Sequence, residues 1–174
     1  YSVNKGLWGT SVGGAETLKS EKPLPMEAYP SQLKKEGEEK VTLTFENGEF
    51  IAFNGTKNKP EINIEKLNDI AATYAIGRDM HVGDTIVGTK GRVGFEAAAA
   101  LITIKAHHLL EKHTATKWQL QHKEYLSSFY GMHLHEGQYL DPVMRDMEAF
   151  LQSSQKMVSG SVVVTLKPYH FSLD

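Results

Sequence analysis

Residues 77–96 read GRDMHVGDTIVGTKGRVGFE and combine five glycines, two arginines, one lysine and three acidic residues. Alternating apolar and polar residues bracket Gly83-Asp84, which predicts a hairpin with a two-residue turn there. Residues 90–94 are predicted to form a basic, flexible loop that leads into a helix starting at Ala97. Such a loop is suited to an anionic group, because free N–H groups at a helix N-terminus point toward it. A glycine-rich connection with solvated charges is the alternative interpretation.

The chain has 174 residues, a net charge of −2 and no cysteine. A single domain of this length can bury about two thirds of its unfolded surface. The charge gives no general attraction to nucleic acid, and the absence of cysteine excludes disulfides and thiolate zinc sites. No apolar run approaches the roughly 20 residues of a transmembrane helix, and no signal peptide is visible. A cytoplasmic protein that binds neither nucleic acid nor membrane is predicted.

The first forty residues are predicted to be a glycine-rich loop followed by a solvated linker rich in proline and charge. The loop carries Ser2 and Ser11, and its Ser-Val-Gly-Gly order does not fit a phosphate-binding loop. Because the sequence begins at Tyr1 within such a loop, we expect it to be a fragment of a longer protein.

Residues 41–174 predict an α+β domain, with a mainly antiparallel sheet of about five strands packed with about four helices. Glycines 77 and 131 are predicted to end the first and third helices. The other signals are a hairpin over 41–53 that turns at Asn47-Gly48, helix starts at Asn63, Ala97, Thr114 or Thr116, and Asp141, and a strand over 161–166.

The histidines do not form a recognisable catalytic or zinc motif. His107 and His108 lie near Glu111 in sequence, but adjacent helical residues point in different directions. His133 and His135 would share one face of an extended segment, a geometry that a metal could use, although no third ligand is evident. Surface or interface histidines are the favoured interpretation, so the sequence predicts no catalytic set and no metal site.

Four segments together resemble the carboxyl-terminal synthetase domain of argininosuccinate synthase, in the form found in Bacteroides-like bacteria. The block over residues 76–92, with an IGRDxxVxDxxVGxKxR pattern, is the most specific part. The segments are YSVNKGLWGTSVGGAETL (1–18), LNDIAATYAIGRDMHVGDTIVGTKGRVGFEAA (67–98), IKAHHLLEK (104–112) and GQYLDPVMRDMEAFLQSSQKMVSGSVVVTL (137–166).

The resemblance implies an enzyme that ligates citrulline and aspartate, with ATP cleaved to AMP and pyrophosphate, in arginine biosynthesis. It implies that ATP and Mg²⁺ bind mainly to an amino-terminal domain that is absent from this chain. This chain alone would then be inactive. It also implies a homotetramer, in which helices over 116–130 and 142–155 could contact neighbouring subunits. A shortened chain could instead form a dimer.

Citrulline-binding positions can be transferred from the family residue by residue. Ser2 and Ser11 match the two serines that hold citrulline, and a hydroxyl can both donate and accept hydrogen bonds. The family's glutamate falls on Gly83, beside Asp84, and its tyrosine falls on Phe95. The resemblance thus implies a citrulline site that includes Ser2, Ser11, Asp84, Phe95 and Arg92.

Two alternatives remain open at this stage. Asp84 could replace the missing glutamate, or the enzyme could prefer a citrulline whose amino group is acylated. The carboxylate of a succinyl group could then pair with Lys90 or Arg92. A different class is also open, in which the chain is a non-catalytic ligand-binding or assembly module.

Overall fold

The computed structural model describes residues 1–174 as four helices and nine strands in two antiparallel sheets. The helices are α1 (Pro60–Ala72), α2 (Ala98–Thr114), α3 (Lys117–His135) and α4 (Pro142–Gln155). The strands are β1 (Ser2–Gly6), β2 (Gly9–Gly13), β3 (Glu39–Glu46), β4 (Glu49–Phe53), β5 (Thr56–Lys57), β6 (Arg78–Asp84), β7 (Lys90–Glu96), β8 (Gly160–Lys167) and β9 (His170–Leu173). The predicted α+β class is confirmed, although the strands divide between two sheets.

The larger sheet has the strand order β5-β4-β3-β8-β9 and contributes most of the core. Along β3, Val41, Leu43 and Phe45 are buried while the residues between them are partly exposed. This period of two places one face of the sheet against α1 and α2. Leu67 of α1 and Ile102 of α2 are fully buried against that face.

The turn at Asn47-Gly48 is confirmed. Both residues have positive φ, 51° and 82°, as a type I′ turn between twisted antiparallel strands requires. Asn54-Gly55 repeats this geometry with φ of 48° and 78° and leads into β5. Strands β5 and β9 are too short to give a clear alternating pattern in the sequence.

The smaller sheet has the order β1-β2-β7-β6. The prediction of an extended loop over residues 1–20 was wrong, because these residues form the hairpin β1–β2 and a 3₁₀ turn at Ala15–Leu18. The glycines and hydroxyl residues carry weak strand propensity, and the pairing of β2 with β7 overrides it. Residues 1–13 therefore share a sheet with the segment at 78–96.

The second hairpin turns at a different place from the predicted one. Gly83 and Asp84 lie within β6, opposite Gly91 and Lys90, and the loop covers residues 85–89. Gly88, with φ of +84°, supplies the turn conformation. Residues 90–94 form strand β7, so the predicted flexible cationic loop, on which the anion-site expectation depended, was wrong.

Three predicted helix limits also differ. Pro60 occupies the first turn of α1, so the helix starts before Asn63, whose side chain is buried and donates to the Phe50 carbonyl at 2.8 Å. Gly77 lies five residues beyond Ala72, the last residue of α1. Helix α3 continues through Gly131 and ends at His135.

The other three helix starts are confirmed, and Ala97 directly precedes the first residue of α2. Thr116 accepts a hydrogen bond from Gln119 N, and the Gln119 side chain accepts one from Thr116 N, forming a capping box. Asp141 accepts a hydrogen bond from Val143 N at 2.9 Å. None of the helices has the length and apolarity that crossing a membrane requires.

Candidate substrate face on the small sheet

The small sheet has one covered face and one open face. Thr10, Val12, Gly94 and Glu96 are buried on the covered face. The segment 24–29 packs there through Leu24, Ala28 and Tyr29. The strand registers place the alternate residues on the other face, since directly opposed residues of antiparallel strands point to the same side.

The other side of the sheet, called the open face below, begins with a row that crosses all four strands. Its members are paired in register: Asn4 with Ser11, Ser11 with Phe95, and Phe95 with Asp79. By alternation along the strands, the same face also contains Ser2 of β1 and His81 and Gly83 of β6. The open face is therefore defined by seven residues: Ser2, Asn4, Ser11, Asp79, His81, Gly83 and Phe95. Ser11 and Phe95 are half-buried.

Three of the five predicted citrulline residues share the open face. Ser2, Ser11 and Phe95 come together from strands β1, β2 and β7, although Ser2 and Phe95 are far apart in sequence. Asp84 follows the open-face residue Gly83 in β6, and Arg92 lies three residues before Phe95 in β7. Because successive residues of a strand point to opposite faces, Asp84 and Arg92 lie on the opposite side. Strand alternation therefore divides the predicted set.

Asp84 lies at the end of β6, where its carboxylate is 2.5 Å from the Lys90 ammonium. Both side chains are largely exposed, so this ion pair contributes at most about 1 kcal/mol to stability. The pair gives each charge a partner within the hairpin. Replacement of the family glutamate by Asp84 stays a prediction, and the register does not favour it.

Arg92 is also engaged within the chain. Its guanidinium donates to the backbone carbonyls of Glu16, Lys19 and Lys22. These contacts hold the connection after β2 against the small sheet. The pairing of Arg92 or Lys90 with an acyl carboxylate stays a prediction, and the contacts of both residues offer it no support.

Gly83, which takes the place of the family glutamate, lies on the open face. A Cβ atom at this position would be 2.6 Å from His81 Nε2, so the imidazole covers the space that a side chain would enter. Asp79 and His81 are the two β6 residues of the open face that sequence reasoning missed. Alternation from Phe95 across the β6–β7 pair would have indicated both once the register was known.

A separate cavity of about 860 Å³ lies between α1, α2 and α3. Its polar centre is Glu111 of α2, which is 1% exposed. One carboxylate oxygen, Oε1, accepts hydrogen bonds from Lys123 Nζ at 2.5 Å and Gln155 Nε2 at 2.8 Å. His107 Nδ1 and His108 Nδ1 lie 3.6 and 3.5 Å from Oε2. Adjacent helical residues point in different directions, but both imidazoles approach Glu111 because it lies four and three residues further along α2.

Burial raises the pKa of Glu111, but the hydrogen bonds from Lys123 and Gln155 and the nearby His107 outweigh it and leave that pKa lowered. The pKa of His107 is lowered, chiefly because burial disfavours the charged imidazole. Glu111 raises that pKa, Lys123 and His108 lower it, and the hydrogen bond with Gln155 raises it. His107 is therefore neutral in the folded protein near pH 7.

We expect protonation of His107 to reduce the stability of the folded chain in mild acid. The pKa of His107 is lower in the folded chain than its value of about 6.5 in the unfolded chain. The contribution of neutral His107 to stability is therefore complete above pH 6.5 and is lost as the pH falls toward the folded pKa. Chemical unfolding between pH 7.5 and 5.5 should show a smaller pH slope for His107→Gln than for the native chain. The matched variant at exposed His113, His113→Gln, should keep the native slope. Equal slopes for all three proteins would contradict this account.

The extended segment predicted around His133 and His135 was wrong. Both residues lie in the last turn of α3. His133 Nδ1 is 2.9 Å from the Phe129 carbonyl oxygen, and His135 Nε2 is 3.1 Å from that of Asp84. No group of three or more histidine or acidic side chains forms with metal-binding geometry.

Comparison with known proteins shows the family to which the chain belongs. The family model for the arginosuccinate synthase C-terminal domain matches residues 1–171. Argininosuccinate synthases are 34% identical in Methanocaldococcus jannaschii and 36% identical in Pyrococcus furiosus, over 95% of this chain. The enzyme of Xanthomonas campestris is 35% identical over 94%. The chain belongs to the argininosuccinate synthase C-terminal domain family, and it spans about two fifths of these relatives' length: 43%, 42% and 42%.

Proposed function

We propose that this chain forms part of an ATP-dependent ligase that joins citrulline to aspartate and releases AMP and pyrophosphate. The observation that carries the proposal is the convergence of Ser2, Ser11 and Phe95 on one open face of the small sheet. Two hydroxyl groups can donate to and accept from the polar end of an amino acid, and the aromatic ring supplies an apolar surface beside them. Membership of the family supplies the reaction class.

ATP and Mg²⁺ are assigned to a separate amino-terminal domain. In this chain, the glycine-rich residues of β2 and β7 are paired in the sheet, so their backbone N–H groups do not form a phosphate cradle. The open face would then close the citrulline side of a site shared between two domains. Within the chain, residues 1–40, which include the β1–β2 hairpin, are proposed as substrate-binding segment and linker and 41–174 as synthetase and assembly domain, in a cytoplasmic enzyme.

The reaction is tested by adding citrulline, aspartate and Mg-ATP to the full-length protein and following AMP and pyrophosphate. We expect both products in a one-to-one ratio, dependent on both amino acids, and no turnover by residues 1–174 alone. Full-length protein that binds citrulline without forming either product would support the alternative of a ligand-binding or assembly module.

We also propose that helix α3 is a subunit contact in a homotetramer, or in a dimer if the assembly is reduced. No residue of this 19-residue helix is buried, and Trp118, Tyr125 and Phe129 are each at least 60% exposed. These side chains recur along one side of the helix and form an apolar stripe that requires a partner.

The assembly is tested by light scattering of full-length protein with Tyr125→Ser and Phe129→Ser together. We expect a smaller particle than the native oligomer, because two large apolar contacts are removed. Gln121→Ser, at a polar, exposed position of the same helix, is the control variant and should leave the particle size unchanged. A native-sized double variant would exclude this stripe from the interface.

A further inference from the structure

We propose that Asp79 is the carboxylate that pairs with the α-ammonium group of the citrulline-type substrate. The inference rests on the proposed function and names a residue that belongs to the IGRDxxVxDxxVGxKxR pattern but not to the transferred citrulline-binding positions. Asp79 lies on the open face, directly opposite Phe95 in the register of β6 and β7. Phe95 in turn pairs with Ser11.

The position suits an amino-acid head group. Neighbouring strands lie about 4.8 Å apart, so Asp79 and Ser11 are separated by about 10 Å with Phe95 between them. A hydroxyl on one side and a carboxylate on the other can bracket a zwitterion whose carbon chain lies over the aromatic ring. The ring excludes water from one side of the charged contact, which strengthens it.

The side chain of Asp79 is held in place and is only partly used. Its Oδ1 accepts a hydrogen bond from Met80 N at 2.7 Å, which fixes the carboxylate beside the strand. None of the ion pairs in the chain includes Asp79. The second carboxylate oxygen is thus available to accept from an ammonium group.

The charges of the small sheet are segregated between its faces. Lys5, Arg78, Lys90 and Arg92 all lie on the side opposite the open face, by their register pairs. Asp79 is the one acidic residue of the open face, where His81 is the other ionisable side chain. This distribution favours a ligand that presents a positive group there, and it favours Asp79 over Asp84 as the partner of that group.

The proposal is tested by calorimetric titration of full-length protein, with a non-hydrolysable ATP analogue, against citrulline and N-acetylcitrulline. The variant Asp79→Asn keeps the Oδ1 acceptor for Met80 N and removes only the charge. We expect it to bind citrulline about 10- to 100-fold more weakly, as for loss of a charge-assisted hydrogen bond, with its affinity for N-acetylcitrulline unchanged. Exposed Asp69 of α1 provides the matched control, Asp69→Asn, which should bind both ligands like the native protein.

The possible results distinguish failure of the Asp79 assignment from failure of the proposed function. Native citrulline affinity in Asp79→Asn, or a loss confined to Asp84→Asn, would overturn the assignment while leaving the proposed function intact. Equal weakening toward citrulline and N-acetylcitrulline would also overturn it, because an ammonium partner affects only the free amine. Native protein that binds neither ligand would overturn the proposed function and this inference together.

Discussion

Replacing Gly77 by alanine is expected to destabilise the 174-residue chain by about 3–5 kcal/mol. Gly77 has φ of +84°, where a residue with a Cβ costs about 1–2 kcal/mol. A Cβ there would also lie 2.6 Å from Ala98 N and 2.8 Å from the carbonyl carbon of Ala97. These are backbone atoms at the start of α2, whose alanines are buried in the core, so the helix cannot move aside without loss of packing.

Thermal unfolding measures this effect directly. A loss of 3–5 kcal/mol corresponds to a decrease in Tm of roughly 10 °C for a chain of this size. Gly55 is a matched control, because its φ is +78° but a Cβ there would meet no atom within 4 Å. Gly55→Ala should therefore cost only the backbone strain, about 1 kcal/mol. Equal melting temperatures for the two variants would show that the close approach of Gly77 to α2 is not the cause.

Replacing Arg78 by methionine is expected to cost about 3–5 kcal/mol. Arg78 Nε is 3.3 Å from Glu96 Oε2, and both side chains are less than 10% exposed. The guanidinium also lies 4.7 Å from the centre of the Tyr29 ring and donates to the Ser31 carbonyl. Methionine would leave the Glu96 carboxylate buried without a cation, which is the costly outcome for a buried ion pair.

A double variant separates the ion pair from the other contacts of Arg78. We expect Arg78→Met with Glu96→Gln to recover a large part of the loss in urea unfolding, since the buried charge is gone. The remaining loss would measure the contacts to Tyr29 and Ser31. Similar free energies of unfolding for Arg78→Met and the native chain would contradict the structural role of this pair.

The parts of the fold that sequence predicted well are those with local causes. Asn47-Gly48 defines its turn because both residues tolerate positive φ, and Asp141-Pro142 defines a helix start by capping and by fixed φ. Both signals act within a few residues. The α+β class followed from such elements without knowledge of their packing.

The errors arose where distant segments decide the structure. Strands β1 and β2 were missed because β7, some eighty residues away, stabilises them. Gly83-Asp84 resembles a hairpin turn, but Gly88 provides positive φ and leaves Gly83 in the strand. That difference also decides which face Asp84 occupies, because a shift by one residue reverses the direction of a side chain.

The candidate site also combines features that sequence could predict with features that depend on the pairing of distant strands. Sequence similarity selected Ser2, Ser11 and Phe95 as citrulline-binding residues, and the strand register shows that these three lie on one face. Sequence similarity could not reveal that Arg92 binds three carbonyls of the chain, nor that Asp79 lies opposite Phe95. These facts depend on pairing between strands and became visible only in the fold.

The central claim is that the open face of the small sheet binds citrulline, and its most direct test is the citrulline dissociation constant of full-length protein with Ser2→Ala and Ser11→Ala together. We predict a dissociation constant raised about tenfold or more, with ATP binding unchanged, because two hydroxyl contacts to a charged head group are lost. Ser153→Ala, at an exposed position of α4, should bind citrulline like the native protein. Native citrulline affinity in the double serine variant would contradict the claim.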